Sequence, residues 1–190
     1  MRRRNFLGAV SAGIGGVWLT GHWPEIAAAA DAASRAVADP GAATLQVLSA
    51  DERGEIDAIA SRILPSDDGP GAREAGVVYF IDRALGTFAG DARPLVSAGL
   101  ATLSATVKTT YPDNARFSAL EPDAQDRMLQ TIESDAFFQF VRWGTIAGFL
   151  ANPSYGGNRG KVGWRWIGFE DRFVWQEPFG YYDREDSGGS

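Results

Sequence analysis

Apolar side chains recur three or four positions apart in successive blocks between residues 49 and 152. This spacing places them on one face of an α-helix, whereas few stretches show the two-residue alternation of a β-strand. Turns rich in proline and glycine separate the blocks, as at residues 65–71 and 111–114. Amphipathic helices of this length bury their apolar faces against one another. The sequence therefore predicts an all-α fold, a small bundle of four or five helices.

Local signals mark where these helices begin and end. Ser49 and Glu52 have the spacing of a capping box, in which each side chain accepts a hydrogen bond from a backbone N–H at the helix start. Pro65 predicts the end of that helix, because the residue before a proline disfavours the α conformation. Pro94 and Pro122 suit the first turns of two later helices. We expect the second helix to begin at residue 72 or 76 and the last to end near residue 152.

Residues 152–182 differ in composition from the helical blocks. They are dense in glycine and aromatic residues, and glycine disfavours a helix by about 1 kcal/mol per residue relative to alanine. We therefore expect an irregular, aromatic- and glycine-rich C-terminal segment after the bundle. Its rings either cover the bundle's own core or contact a partner, and one segment can serve both roles through its two sides. The polar residues 183–190 are expected to form a disordered tail.

The chain begins with the features of an export signal. Residues 1–4 are charged, residues 6–19 are apolar and rich in glycine, and residues 27–30 offer the small side chains that a signal peptidase requires. The pattern Arg-Arg-x-Phe-Leu is typical of twin-arginine signals. An ordinary secretory signal and an uncleaved anchor helix are the alternatives, although the apolar run is shorter than the about 20 residues that span a bilayer. The residues of the predicted export motif are Arg3, Arg4, Phe6 and Leu7.

This start sets the expected domain organisation and location. Residues 1–30 are predicted to be the signal peptide, residues 31–44 a linker, and residues 45–182 the folded domain. Small residues at 36 and 38 also fit a cleavage site before Asp39. The twin-arginine translocase is therefore an expected partner, and the chain is expected in the periplasm. Because that pathway moves folded proteins, its use by a chain without a cofactor suggests either fast folding in the cytoplasm or export together with a protein that must fold first.

Composition limits the chemistry that the chain can perform. It has no cysteine, and its single histidine, His22, lies within the predicted signal. Cleavage would thus remove the residue types that most often supply thiolate, imidazole and metal-ligand chemistry, whereas carboxylate-based hydrolysis remains formally possible. After residue 30 the chain carries 15 basic and 23 acidic side chains, a net charge of −8, which disfavours nucleic acid as a partner. We predict no catalytic, cofactor-binding or metal site in this chain.

Two acidic motifs are weak candidates for a site. Residues 67–69, Asp-Asp-Gly, resemble the start of a calcium loop but lack the distant bidentate glutamate, which favours a solvated turn. Glu170 and Asp171 have arginines nearby, and such a set more often forms surface ion pairs than an active site.

Two further motifs resemble the gluconate 2-dehydrogenase subunit 3 family. The first consists of Pro-Gly-Ala at 70–72, Glu-Ala-Gly-Val-Val at 74–78 and Phe-Ile-Asp at 80–82, preceded by Ile-Leu-Pro at 63–65. The second consists of Gly-Phe at 148–149 and Asn-Pro-Ser-Tyr-Gly-Gly-Asn at 152–158, followed by Gly-Trp at 163–164 and a glycine at 168. The resemblance covers roughly residues 45–179, and the Asn-Pro-x-Tyr-Gly-Gly-Asn block is its most specific part.

The resemblance implies that the chain is a small, non-catalytic subunit of a membrane-associated dehydrogenase complex. In that family the large partner is an FAD enzyme of the glucose–methanol–choline oxidoreductase type, and a multihaem cytochrome c often carries the electrons onward. The small subunit is thought to assist maturation and export of the large one, whose own chain commonly lacks a signal. FAD is thus expected in the partner, and haem c in a third subunit. A freestanding exported binding or scaffold protein is the alternative, ahead of a hydrolase that uses carboxylates.

We expect the partner to contact the second motif and the aromatic segment after it. The motif also suits a purely structural turn, because glycine adopts a positive φ readily and asparagine tolerates one. The residues predicted at the partner interface are Phe149, Asn152, Tyr155, Gly156, Gly157, Asn158, Trp164, Trp166 and Trp175.

Overall fold

The computed structural model describes residues 45–172 and residue 174. This part of the chain contains six α-helices and no β-strand, which confirms the predicted all-α fold. Five longer helices match the predicted blocks, and a sixth, shorter helix follows them. The helices are α1 (Ala50–Ile63), α2 (Val77–Gly86), α3 (Arg93–Thr110), α4 (Pro122–Thr131), α5 (Ala136–Leu150) and α6 (Val162–Ile167).

The helix ends follow the local signals in the sequence. Ser49 and Glu52 form the predicted capping box, with both reciprocal hydrogen bonds present. Prolines occupy the first turns of α3 and α4 as expected. Helix α2 begins at the later of the two predicted positions, because Gly76 has a φ of +65° and ends the preceding turn in the left-handed conformation.

Helix α2 lies at the centre of the core between α1 and α5. Its apolar side is buried almost completely, including Val77, Ile81 and Leu85. Helix α5 approaches it closely at Gly144 and Gly148, where an added Cβ would lie 2.7 Å from Ile81 Cγ1 and 3.0 Å from Phe80 Cβ. The two glycines therefore bring the C-terminal half of α5, and the loop that leaves it, against α2.

An ion pair joins α1 to α4. The Arg62 guanidinium donates Nε–H and Nη2–H to the two carboxylate oxygens of Asp126, each at 2.7 Å. These hydrogen bonds hold the pKa of the Asp126 carboxyl below its ordinary value. The pair is partly exposed, so its main effect is to orient the two helices and its contribution to stability is small.

A buried carboxylate fastens the start of the domain to α2. Asp82 is 1% exposed and accepts hydrogen bonds from the backbone N–H groups of Gln46 (2.6 Å), Val47 (3.0 Å) and Leu48 (2.8 Å). Three donors satisfy a charge that would otherwise be costly to bury. The segment that connects the domain to the preceding 44 residues is thereby held against the central helix.

None of the described helices combines the length and the apolar character needed to cross a membrane.

Candidate functional site

The loop that follows α5 reverses the chain and returns it to α2. Asn152 accepts a hydrogen bond from Ser154 N–H (3.0 Å), which initiates a 3₁₀ turn over Pro153–Tyr155. Gly156, with a φ of +101°, ends that turn. The Arg83 guanidinium on α2 donates to the carbonyl of Ser154 (3.0 Å) and attaches the loop to the bundle.

Asn158 is the central polar residue of this loop. It is fully buried and has a φ of +46°, a conformation that asparagine adopts more readily than most residues. Its Nδ2–H donates to the carbonyl of Ala151 (2.9 Å), and its Oδ1 accepts from Gly163 N–H (2.8 Å). The side chain thus joins the end of α5 to the first turn of α6.

Helix α6 contradicts the expectation that residues 152–182 contain no helix. Its Gly163 faces the end of α5, where an added Cβ would lie 2.0 Å from the carbonyl oxygen of Phe149. The intrinsic cost of glycine in a helix is offset here, because only glycine permits this approach and the N–H of Gly163 is capped by Asn158. The prediction was wrong because the helix propensity of glycine does not include this tertiary contact.

Gly157 is expected to be intolerant of any side chain. A Cβ at this position would lie 2.1 Å from the carbonyl oxygen of Gly148, which is backbone and cannot rotate away. We expect Gly157→Ala to lower the free energy of unfolding by about 1–3 kcal/mol, as overpacking does. Gly54→Ala is the matched control, because nothing lies within 4 Å of its added Cβ in the middle of α1.

The control substitution is expected to raise stability by about 0.5–1 kcal/mol, since alanine is the better helix former. Denaturant unfolding of both variants measures the contrast. Equal and small effects at both positions would contradict the close approach of Gly157 to α5.

Helix α6 carries apolar side chains toward solvent. Trp164 is half-buried, donates its Nε1–H to the carbonyl of Leu150 (2.7 Å) and meets Phe169 edge to face at 5.1 Å. Trp166 lies over Gly69, where an added Cβ would be 2.5 Å from its Cζ3, yet the residue is 51% exposed. Three more large apolar residues are exposed here, and the four define the α6 patch: Trp166, Ile167, Phe169 and Val174.

Two arginines lie against one tyrosine ring. The guanidinium carbon of Arg159 is 3.9 Å from the centroid of the Tyr79 ring, and that of Arg53 is 5.2 Å from it. Both distances are within the range of a cation–π interaction. We call Arg53 and Arg159 the arginine pair.

The structure divides the residues predicted at the partner interface into three groups. Phe149, Gly156, Gly157 and Asn158 are buried and shape the loop from within. Tyr155 and Trp164 are half-buried, whereas Asn152 and Trp166 are exposed. Trp175 and the export motif of Arg3, Arg4, Phe6 and Leu7 lie outside the described residues. The interface role of all nine predicted residues stays a prediction, but the four buried ones cannot touch a partner without rearrangement of the loop.

Sequence reasoning missed other surface residues beside these. Ile167, Tyr79 and the arginine pair were not predicted. An aromatic side chain on the polar side of an amphipathic helix was the available signal for Tyr79. The arginines are distant from one another in sequence, so only the tertiary structure brings them to one ring.

The acidic candidates behave as surface groups. Glu170 pairs with Arg172 and Asp171 pairs with Lys161, which confirms the expected ion pairs. Residues 67–69 form the turn that supports Trp166. Among the described residues, no three His, Cys, Asp or Glu side chains are grouped as they would be to hold a metal ion.

Comparison with known proteins supports the resemblance seen in the motifs. A family model described as Gluconate 2-dehydrogenase subunit 3 matches residues 50–171. Searches of curated proteins and of solved structures return no significant match. The matched range begins at the start of α1 and ends at residue 171, shortly after the end of α6. It therefore contains both the bundle and the loop built around Asn158.

Proposed function

Because this chain belongs to the gluconate 2-dehydrogenase subunit 3 family, we propose that it is a non-catalytic accessory subunit that docks on an FAD-dependent dehydrogenase in the periplasm. The family's name describes one subunit of a dehydrogenase complex, so contact with other subunits is expected. The dehydrogenase would oxidise gluconate or another sugar or alcohol and hold the FAD. A cytochrome c with haem would accept the electrons as a third subunit.

The observation that carries this proposal is the α6 patch. Its four apolar side chains are exposed on a short segment, and two of them are aromatic. Exposed apolar groups that form one patch mark interaction sites, and we infer such a patch from the closeness of these four residues in sequence. Tryptophan is also enriched among the residues that dominate binding energy. The patch is also held in place from beneath, since Asn158, Gly163 and Trp164 bond or pack directly onto the end of α5.

The absence of a catalytic role is supported by the residue inventory. The chain has no cysteine and no histidine after residue 22. The one fully buried carboxylate of the described residues, Asp82, is saturated by three backbone donors that belong to the fold. A residue already committed in this way is poorly placed to serve as a general acid or base.

The export role is proposed from the twin-arginine motif. In this scheme the small subunit carries the signal, and the dehydrogenase crosses the membrane as a folded passenger. Lysine at both Arg3 and Arg4 keeps the charge but removes the guanidinium pair, so both proteins should remain in the cytoplasm. The measurement is the amount of each protein in the periplasmic and cytoplasmic fractions. A dehydrogenase that reaches the periplasm at its normal level would exclude the escort role.

Docking is tested by capture. A tagged chain purified from the periplasm should bring down a yellow protein with flavin absorbance, whereas a colourless monomer would favour a freestanding binding or scaffold protein. Trp166→Ala should weaken capture by about 2 kcal/mol or more, equivalent to some thirtyfold in affinity, if this ring is a binding hot spot. Its effect on the thermal midpoint should be small, because about half of the side chain is solvent-exposed.

Leu95→Ala is the matched control for this test. Leu95 is also an exposed apolar residue, at 38%, but it lies on α3 rather than on the α6 patch. We expect the Leu95→Ala variant to capture as much flavoprotein as the unaltered chain does. Equal losses from both substitutions would mean that general stability, and not the patch, controls capture.

A further inference from the structure

The two guanidinium groups of the arginine pair form no ion pair within the described part of the protein. Arg53 and Arg159 are both exposed, and neither forms an ion pair with any carboxylate of the described residues. Arg165, on α6 itself, is likewise exposed and has no such pair. Other exposed arginines, such as Arg127 and Arg142, also lack an ion pair among the described residues. The feature that distinguishes Arg53 and Arg159 is the Tyr79 ring, over which both guanidinium groups lie.

The position of Arg159 is fixed before any partner arrives. Its backbone N–H donates to the carbonyl of Ala75 (3.0 Å). Its aliphatic stem crosses Gly76, where an added Cβ would lie 2.6 Å from Arg159 Cδ. Its guanidinium then rests on the Tyr79 ring. A side chain held in this way loses little conformational entropy when it binds.

Arg159 and Trp166 both pack on the segment that joins α1 to α2. Trp166 lies over Gly69, and the Arg159 stem lies over Gly76 further along the same segment. In sequence, residues 159–169 connect Arg159 directly to Trp166 and Phe169. A partner that covers the patch would therefore meet the arginines at its rim, where charged residues are usually found.

We propose, on the basis of the docking function above, that the arginine pair binds carboxylates on the surface of the dehydrogenase subunit and so sets its orientation on the α6 patch. A guanidinium stacked on an aromatic ring keeps its edge N–H groups free, and these match a carboxylate in a bidentate arrangement. An acidic protein surface fits this chemistry better than an anionic membrane does, because the negative charge of the rest of the chain opposes approach to an anionic bilayer.

The test uses the full-length chain and the flavoprotein that it captures, separated by high salt and rebound over a range of ionic strength. The double variant Arg53→Glu/Arg159→Glu should slow association about tenfold or more at low salt and should flatten the dependence of affinity on salt. The matched control is Arg127→Glu/Arg142→Glu, which makes the same change in charge at two exposed arginines on α4 and α5. It should change association less than threefold, as expected of charges outside an interface.

Arg159→Lys adds a finer comparison. Lysine keeps the charge but loses the planar stacking and the bidentate geometry. We expect an association rate close to that of the unaltered chain and a dissociation rate about three to ten times faster, because the steering charge remains while the fixed hydrogen bonds are lost.

The possible results separate this proposal from the docking function. Unchanged rates and salt dependence in the double glutamate variant, with Trp166→Ala still weakening capture, would overturn the arginine proposal alone. Failure of the unaltered chain to capture any flavoprotein would overturn both. Vesicles of phosphatidylglycerol and phosphatidylcholine provide the remaining arm. Vesicle binding that depends on Arg53 and Arg159, with flavoprotein binding unaffected by their replacement, would assign the arginines to a lipid surface and refute the proposal.

Discussion

Asp82→Ala is expected to lower the free energy of unfolding by about 3 kcal/mol or more. The substitution leaves the N–H groups of Gln46, Val47 and Leu48 without their acceptor, and at least one of them lies in a buried site. Each hydrogen bond to a charged group contributes roughly 1.5–3 kcal/mol, although the three losses will not add fully. Denaturant unfolding followed by circular dichroism measures the change.

Two comparison variants make the interpretation of this result specific. Asp82→Asn keeps one acceptor oxygen but turns an NH₂ group toward a backbone donor, so its loss should be intermediate. Asp113→Ala removes an exposed carboxylate from a turn and should change stability by less than about 0.5 kcal/mol. A stable Asp82→Ala variant would show that residues 46–48 do not depend on α2 for their position. It would also contradict the view that the hydrogen bonds between Asp82 and residues 46–48 fix the start of the folded domain.

The sequence could predict the five longer helices because each relies on signals within its own segment. The capping box at Ser49, the prolines at 94 and 122 and the regular apolar spacing act over only a few residues. The sequence offered two starts for α2, at residues 72 and 76. The left-handed Gly76 decides it, and the Arg159 side chain, which is distant in sequence, packs across this glycine.

The roles of Asp82 and Gly163 could not be predicted, because both depend on contacts between distant segments. Asp82 lies on the otherwise apolar inner side of α2, and its three donors come from residues more than 30 positions earlier. Gly163 is a poor helix residue by itself, yet the approach to Phe149 requires it. In both cases a residue that conflicts with its local pattern is explained by a specific tertiary contact.

The candidate site shows a similar division. The motif at residues 152–158 indicates the loop on which α6 rests, but three of the five interface residues predicted within it are buried. Motif residues such as Gly157 and Asn158 are constrained by backbone geometry, whereas the exposed residues around them are free to follow the partner. We therefore interpret the loop as the element that positions α6, and the exposed residues of α6 as the surface available to a partner.

Asn158→Ala is expected to abolish capture of the dehydrogenase subunit while the longer helices stay folded. The change removes the hydrogen bonds to Ala151 and Gly163 and leaves an alanine at a φ of +46°. Together these effects cost roughly 2–4 kcal/mol. Helix α6 has six residues and packs mainly on the end of α5. The lost stability should therefore appear as local opening of residues 158–168 and not as unfolding of the bundle.

Asn158→Gly separates the two contributions. It loses the same hydrogen bonds but accepts the left-handed conformation, so it should retain about 1 kcal/mol more stability in the loop than alanine does. Hydrogen exchange at the Gly163 amide measures this local stability, and the thermal midpoint measures the bundle. The variant whose loop opens more often should capture less of the dehydrogenase, so Asn158→Ala should capture less than Asn158→Gly. Normal capture by a variant whose Gly163 amide exchanges freely would show that the partner does not need an ordered α6, and the support role of the loop would then be wrong.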